Sequence, residues 1–166
     1  MEIERRYPDL GILDGEPCEI SYFDGNINCW CFILDSNINR NNTIKYYYTD
    51  KIYRYLLPVR DHSKTVVYAP RAFGIYKNCL FHIGGFVDHK LCIQPETNDA
   101  IRAIGNDPGT SNWDMGGYAM VFPEELSDIW VEREHVADFR FDLTSTDFFR
   151  VDGEWLDIPD GIVRLY

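Results

Sequence analysis

The sequence has little of what membrane insertion or secretion requires. Its longest apolar runs, such as Cys29–Leu34 and residues 66–69, are far shorter than the roughly 20 residues that a bilayer-spanning helix needs. The first residues, Met-Glu-Ile-Glu-Arg-Arg-Tyr-Pro, carry charge but lack the apolar segment of a secretory signal. We therefore expect a cytoplasmic protein that does not associate with membranes.

Cysteines are few and odd in number: five, at positions 18, 29, 31, 79 and 92. An odd count excludes a fully paired disulfide framework, and a chain of 166 residues can bury a core without one. Cys29 and Cys31 flank Trp30 in a strand-like run, which places both side chains on one face. We expect all five to be reduced residues that mainly fill the core.

Basic residues are scarce as well. The 166 residues hold 27 acidic and 16 basic side chains, a net charge of −11, which disfavours nonspecific binding to nucleic acid or anionic lipid. The excess is local, because residues 1–60 carry −2, residues 61–110 carry 0 and residues 111–166 carry −9. In this last third the acids are interleaved with aromatic residues. They solvate the outer face of amphipathic strands, form a docking patch for a basic protein, or do both.

Motifs for catalysis or cofactor binding are lacking. Cys79, His82, His89 and Cys92 match zinc ligands by type and would face each other across a hairpin that turns at Gly85-Phe86. However, strand positions three apart point to opposite faces, and a turn at Asp88-His89 would destroy the symmetry. The glycine-containing turns lack the lysine spacing of a phosphate-binding loop. We therefore expect no metal and no cofactor.

The pattern that is present is that of antiparallel hairpins. Asp-Gly pairs at 14–15, 24–25, 152–153 and 160–161 are typical of hairpin turns, and the first clear hairpin joins residues 18–23 to 27–34. With 45% hydrophobic and 15% aromatic residues, the chain has ample core material. Further strands are predicted at 44–48, 52–57, 65–69, 72–76, 80–83, 90–93, 118–122, 139–143, 148–151 and 162–165, with prolines beside them rather than within them.

Helices are predicted at only two places. One covers about 96–104 and ends at Gly105, and the other covers about 124–135, opened by Pro123 and two glutamates. Trp130-Val131 or Val136 could instead begin a strand. We expect a single globular domain of residues 1–166, β-rich and of the α+β class, built from hairpins in antiparallel sheets.

The charge pattern favours a non-enzymatic binding protein. Acids of the last third would pair with lysine and arginine of a basic partner around aromatic anchors. The predicted partner-binding residues are Trp113, Asp114, Asp128, Trp130, Glu132, Glu134, Asp138 and Asp142.

In size, acidity, aromatic content and lack of motifs the chain resembles the immunity proteins that bacteria make against secreted toxins. It resembles less closely the phage-encoded inhibitors that imitate nucleic-acid charge. The resemblance implies an inhibitor that occludes the active site of a basic partner, either a toxin or an enzyme that acts on nucleic acid. Exposed strand edges would also permit a homodimer.

A small hydrolase is the alternative hypothesis. It would use paired carboxylates of the last third or a histidine, and it would require a deep pocket in which these groups converge. The candidate groups are His82, His89, His135, Glu124, Glu125, Glu132, Glu134, Asp138, Asp142, Asp147 and Asp152.

Overall fold

Antiparallel β-strands make up most of the chain in the computed structural model, which describes residues 8–35, 40–47, 53–109 and 117–156. The elements are β1 (Asp9–Leu13), β2 (Glu16–Phe23), β3 (Cys29–Leu34), β4 (Ile44–Tyr47), β5 (Tyr53–Pro58), β6 (Val67–Tyr76), β7 (Cys79–Val87), β8 (Lys90–Pro95), α1 (Asn98–Ala103), β9 (Ala119–Val121), β10 (Asp128–His135), β11 (Thr146–Val151) and β12 (Glu154–Trp155). The predicted β-rich character is confirmed. The α+β label fits only loosely, because α1 is the one α-helix of the described ranges.

Tight turns join several neighbouring strands. At 14–15 and 152–153 both turn residues have positive φ, from 50° to 87°, which is the backbone that type I′ hairpins require. The turns at 77–78 and 88–89 have the same signs of φ without an Asp-Gly pair. The predicted turns at 14–15, 24–25 and 152–153 are confirmed, and the pair at 160–161 lies outside the described residues.

The chain divides into two compact units. The N-terminal unit, as we name it, contains residues 8–69 and 134–143, and the C-terminal unit contains residues 70–133 and 144–156 of the described chain. The boundaries fall inside β6 and β10, so each of these strands contributes residues to both units. The prediction of a single domain stays a prediction.

In the N-terminal unit the strands follow the order β6-β1-β2-β3-β5-β4. Side chains of β3 alternate between two apolar clusters, as the period of two in a strand requires. Phe32 and Leu34 pack with Ile20 and Phe139, whereas Cys31 and Ile33 pack on the other face. The predicted hairpin of β2 and β3 is confirmed, and its second strand is covered on both faces.

In the C-terminal unit the order is β12-β11-β10-β6-β7-β8-β9. Its core is a single cluster on one face of these strands and includes Phe81, Ile83, Leu91, Ile93 and Ile129. Helix α1 packs there through Ala100, and its N-cap Thr97 accepts a hydrogen bond from the Ala100 amide at 3.1 Å. The helix predicted at about 96–104 is confirmed.

The helix predicted at 124–135 is wrong. Residues Pro123–Glu125 form a 3₁₀ turn, in which the Glu125 carboxylate accepts from the Phe122 amide at 2.7 Å. From Asp128 onward the chain is β10, so the alternative of a strand at Trp130-Val131 is correct. The reason is periodicity: Ile129 and Val131 are buried and alternate with more accessible residues, which suits one face of a sheet and not a helix.

Two further strand predictions need correction. Residues 139–143 form no strand. The backbone of Arg140 makes only an isolated bridge to Val66, and the side chain of Phe139 packs into a core cluster. Residues 67–69 of the first of two predicted runs, 65–69 and 72–76, form one strand with the second run, and this strand passes through Pro70. Proline is tolerated there because β1 pairs with β6 only up to Tyr68 and β7 only from Ala72.

The other predicted strands lie in β4, β5, β7, β8, β9 and β11, except that 48, 52 and 162–165 lie outside the described residues. β1 and β12 were not among the predicted strands, and β10 was predicted only as the alternative to a helix.

Gly74 in β6 lies so close to the segment before β10 that no room is left for a larger side chain. A β-carbon at this position would lie 2.2 Å from Leu126 Cδ2 and 3.0 Å from the Asp128 carbonyl oxygen. Leu126 is itself buried in the core of the C-terminal unit. The glycine therefore lets the segment before β10 lie directly against β6.

We expect Gly74→Ala to lower the free energy of unfolding by about 1–3 kcal/mol, the usual cost of overpacking a core. Urea unfolding followed by circular dichroism measures this change. Gly84→Ala is the matched control within β7, because the nearest atoms to its β-carbon would be at an ordinary 3.6 Å. Equal stability of the two variants would show that the contact with Leu126 is not restrictive.

Candidate protein-binding surface

Strand β10 has one buried and one accessible face within the C-terminal unit. Ile129 and Val131 enter the core, and the alternation places Asp128, Trp130 and Glu132 on the opposite face. The Trp130 ring is half-buried, and its Nε1 donates a hydrogen bond to Glu132 Oε1 at 3.0 Å. The sequence therefore presents an indole and two carboxylates on the same side of one strand.

Four aromatic rings follow one another across adjacent strands on this face, and we call them the aromatic row: His82 (β7), Phe73 (β6), Trp130 (β10) and Phe148 (β11). The ring centroids are 5.6 Å apart between His82 and Phe73, 5.8 Å between Phe73 and Trp130, and 6.1 Å between Trp130 and Phe148. The register directly opposes Trp130 to Phe148 and Phe73 to His82. Such contacts hold the rings in fixed orientations.

The aromatic row is bordered by charge. Glu132 is exposed, whereas Asp128 is half-buried and accepts from the Asp152 amide at 3.2 Å. Arg71 is exposed on the same face of β6. Burial lowers the pKa of His82, so this imidazole is neutral at pH 7 and adds no positive charge to the row.

The predicted binding residues fall in three places. Asp128, Trp130 and Glu132 lie together in the C-terminal unit, whereas Glu134, Asp138 and Asp142 belong to the N-terminal unit. Trp113 and Asp114 lie outside the described residues.

Local ion pairs offset part of the acidity of the last third. In the C-terminal unit Arg133 pairs with Asp147. In the N-terminal unit Arg140 pairs with Asp142, and His62 Nδ1 lies 2.9 Å from Asp138 Oδ1. This contact with His62 lowers the pKa of the Asp138 carboxyl. Asp138 and Asp142 are therefore already engaged within their own unit.

Phe73 was not predicted as a binding residue, and His82 was considered only as a metal ligand or a catalytic group. The alternation of Arg71, Phe73 and Ile75 with the buried Ala72 and the core-facing Gly74 could have placed Phe73 on the accessible face. The pairing of β6 with both β7 and β10 is not visible in the sequence.

The four candidate zinc ligands do not face one another. The hairpin of β7 and β8 turns at Asp88-His89, so Cys79 pairs with Tyr76, His82 with Gln94, and Cys92 with Gly85. Within the described ranges no group of three or more His, Cys, Asp or Glu side chains could hold a metal ion.

Described residues of the N-terminal unit line at least two cavities. One, of 360 Å³, has apolar walls that include Phe32, Leu57 and Val59 beside Arg60 and Lys64. The other, of 420 Å³, is lined by Cys18 and by charged side chains that include Arg40 and Arg54. The carboxylates and histidines of the hydrolase hypothesis line neither cavity.

The chain matches no protein-family model, and no curated protein or solved structure shows significant similarity to it. In the part of the chain that the structure describes, no helix is long and apolar enough to cross a membrane.

The neutral His82 predicts a pH dependence of stability. The folded-state pKa of His82 is lowered by burial, whereas in the unfolded chain it returns to about 6.5. As the pH falls from 7.5 to 5.5 the unfolded chain takes up a proton that the folded chain resists, so the free energy of unfolding decreases.

His82→Gln should make this decrease smaller than in the wild type. Urea unfolding at the two pH values measures the difference, and an NMR titration of the imidazole reports its folded-state pKa directly. A titration midpoint above 6.5 would contradict the burial argument.

Proposed function

We propose that this protein is a non-enzymatic, acidic binding protein that neutralises a basic partner protein. The outer face of the C-terminal unit, with the aromatic row at its centre, is the proposed docking surface. The observation that carries the proposal is the pairing of Trp130 and Phe148 on this face, next to the carboxylates of Asp128 and Glu132.

The aromatic row supplies the kind of side chains that dominate binding energy at protein interfaces. Phe148 is 51% exposed although it is a large apolar residue, and Trp130 beside it is half-buried. Tryptophan anchors often account for much of the energy of a complex. Because neighbouring rings already orient Trp130, little side-chain entropy would be lost when a partner covers it.

The charges supply the preference for a basic partner. Glu132 extends next to the indole, and the hydrogen bond from Trp130 Nε1 leaves lone pairs of this carboxylate for a lysine or arginine. The net charge of −11 would accelerate the encounter with a cationic surface and would repel acidic proteins. Arg71 on the same face would oppose a neutral or acidic part of the partner.

The partner class follows from the resemblance in size, acidity and aromatic content to toxin-immunity proteins. On this hypothesis the partner is a toxin or an enzyme acting on nucleic acid, and the docked protein blocks its cationic active site.

A second copy of the chain is the competing occupant. β9 pairs only with β8 in the described ranges. Met120 of β9 and the flanking Tyr118 and Phe122 are exposed, so a homodimer through this edge is the outcome to distinguish.

The test is a comparative capture from the native host with immobilised full-length protein. Trp130→Ser/Glu132→Gln removes the indole and one charge, and we expect it to lose a basic protein that the wild type retains. Tyr47→Ser/Glu16→Gln is the matched control, because both residues are exposed and lie in the N-terminal unit. Circular dichroism verifies that both variants are folded.

The captured protein is then purified for kinetic measurements at 20 and 200 mM salt. We expect the association rate to fall at least several-fold at the higher salt, because screening weakens long-range attraction between the two proteins. Equal capture of the basic protein by both double variants, or an association rate that is the same at both salt concentrations, would overturn the proposal. A homodimer in sedimentation, abolished by Met120→Glu and present without any basic partner, would also overturn it.

A further inference from the structure

The 360 Å³ cavity of the N-terminal unit has an apolar wall built on two paired strands. Phe32 of β3 lies opposite Leu57 of β5, and Val59, two residues beyond Leu57, packs in the same apolar cluster. Phe32 is buried, whereas Leu57 and Val59 are half-buried. Cavities from roughly 300 Å³ upward are typical of small-molecule sites, and this wall suits the hydrocarbon part of such a ligand.

The other side of this cavity carries two cations and one acid. Beyond Val59 the chain enters a 3₁₀ turn at His62–Lys64, and Arg60, Asp61 and Lys64 line the cavity together. All three side chains are exposed. Two basic groups and one carboxylate give this segment a local charge of +1, although the whole chain carries −11.

The carboxylate of Asp61 is already engaged by its own segment. Its Oδ1 accepts hydrogen bonds from the Ser63 hydroxyl at 2.6 Å and from the Ser63 amide at 3.1 Å, and its Oδ2 lies 3.4 Å from Lys64 Nζ. The hydrogen bonds from Ser63 lower the pKa of Asp61, so this group is ionised at pH 7 and offsets Lys64. Arg60 has no ion-pair partner among the described residues, and it is therefore the cation that remains for a ligand.

An apolar wall beside a cation selects an anion with a hydrocarbon part. The planar guanidinium of arginine binds a carboxylate through two parallel hydrogen bonds. A neutral apolar molecule would form no such pair with Arg60, and an amine would be repelled by it. The field of the acidic chain opposes an anion at long range, but salt at about 0.15 M screens it over roughly 8 Å. Within the cavity the nearest charges therefore dominate.

We propose that this cavity binds a small amphipathic carboxylate, whose hydrocarbon part contacts Phe32, Leu57 and Val59 and whose carboxylate pairs with Arg60. The ligand class is that of medium-chain fatty acids. The site lies in the N-terminal unit and shares no residue with the proposed docking surface of the C-terminal unit. Its test is therefore independent of the test of the proposed function.

The test is an NMR titration of the isotope-labelled full chain in about 150 mM salt, a concentration at which long-range fields are screened. The three probes have equal chain length and differ in charge: octanoate, 1-octanol and octylammonium. We expect octanoate to cause saturable shifts of the amide signals of Leu57, Val59 and Arg60 and of the Arg60 Nε signal. 1-Octanol should bind at least several-fold more weakly, and octylammonium more weakly still.

Arg60→Gln should weaken octanoate binding about three- to tenfold, because it removes a charge-assisted pair, and should leave 1-octanol binding unchanged. Arg60→Lys keeps the charge without the planar fork and should lose less affinity. Arg102→Gln is the matched control, since it removes one exposed cation of the C-terminal unit and changes the net charge equally. This control should bind octanoate as the wild type does.

Val59→Thr tests the apolar wall, because it adds a hydroxyl and should weaken the binding of both octanoate and 1-octanol. Circular dichroism establishes that each variant is folded. The absence of saturable shifts with octanoate, or shifts confined to residues outside the cavity, overturns the proposal. Equal binding of octanoate and 1-octanol, or equal losses in Arg60→Gln and Arg102→Gln, also overturns it, because the charge of Arg60 then has no specific role.

Discussion

The register of the antiparallel hairpins is the constraint on which the other features depend. Two-residue turns at 14–15, 77–78, 88–89 and 152–153 hold paired residues of positive φ, so the two strands of each of these hairpins have one alignment. A shift by one residue would exchange the two faces of a strand. It would move Phe81 and Ile83 out of the core and bring His82 into it. The accessible face and the core are therefore determined together.

The same alternation explains why the aromatic row lies on one face of its unit and why the thiols of Cys29 and Cys31 lie on the same face of β3. In the C-terminal unit, alternate residues of β6, β7 and β10 enter the core, and the positions between them include Phe73, His82, Trp130 and Glu132 as well as Arg71. In the N-terminal unit β3 is covered on both faces, so Cys29 and Cys31 share one apolar cluster. Both features result from the two-residue repeat of β-strands, which places every second side chain on the same face. The residue types at these positions then determine the chemical character of each face.

Some of this could be predicted from local sequence alone. The Asp-Gly turns, the apolar runs and α1 are encoded within a few residues, because turn backbone, strand period and helix capping are local properties. The prediction failed where an element had two local readings. Pro123 followed by two glutamates is typical of a helix start, and here it opens a 3₁₀ turn that leads into β10. The run that begins at Phe139 alternates like a strand, but it makes only an isolated bridge, and the Phe139 ring packs into a core cluster.

The amino-acid sequence by itself determined the β-rich class, the hairpin turns, the acidity of the last third and the common face of Cys29 and Cys31. Only the tertiary structure decided that β10 lies beside β6, which brings Trp130 onto Phe73, and that Asp138 and Asp142 are paired with His62 and Arg140. It also separated the four candidate zinc ligands. The physical reason is range: turn and strand preferences act between chain neighbours, whereas ring stacking and ion pairs depend on residues that are distant in sequence.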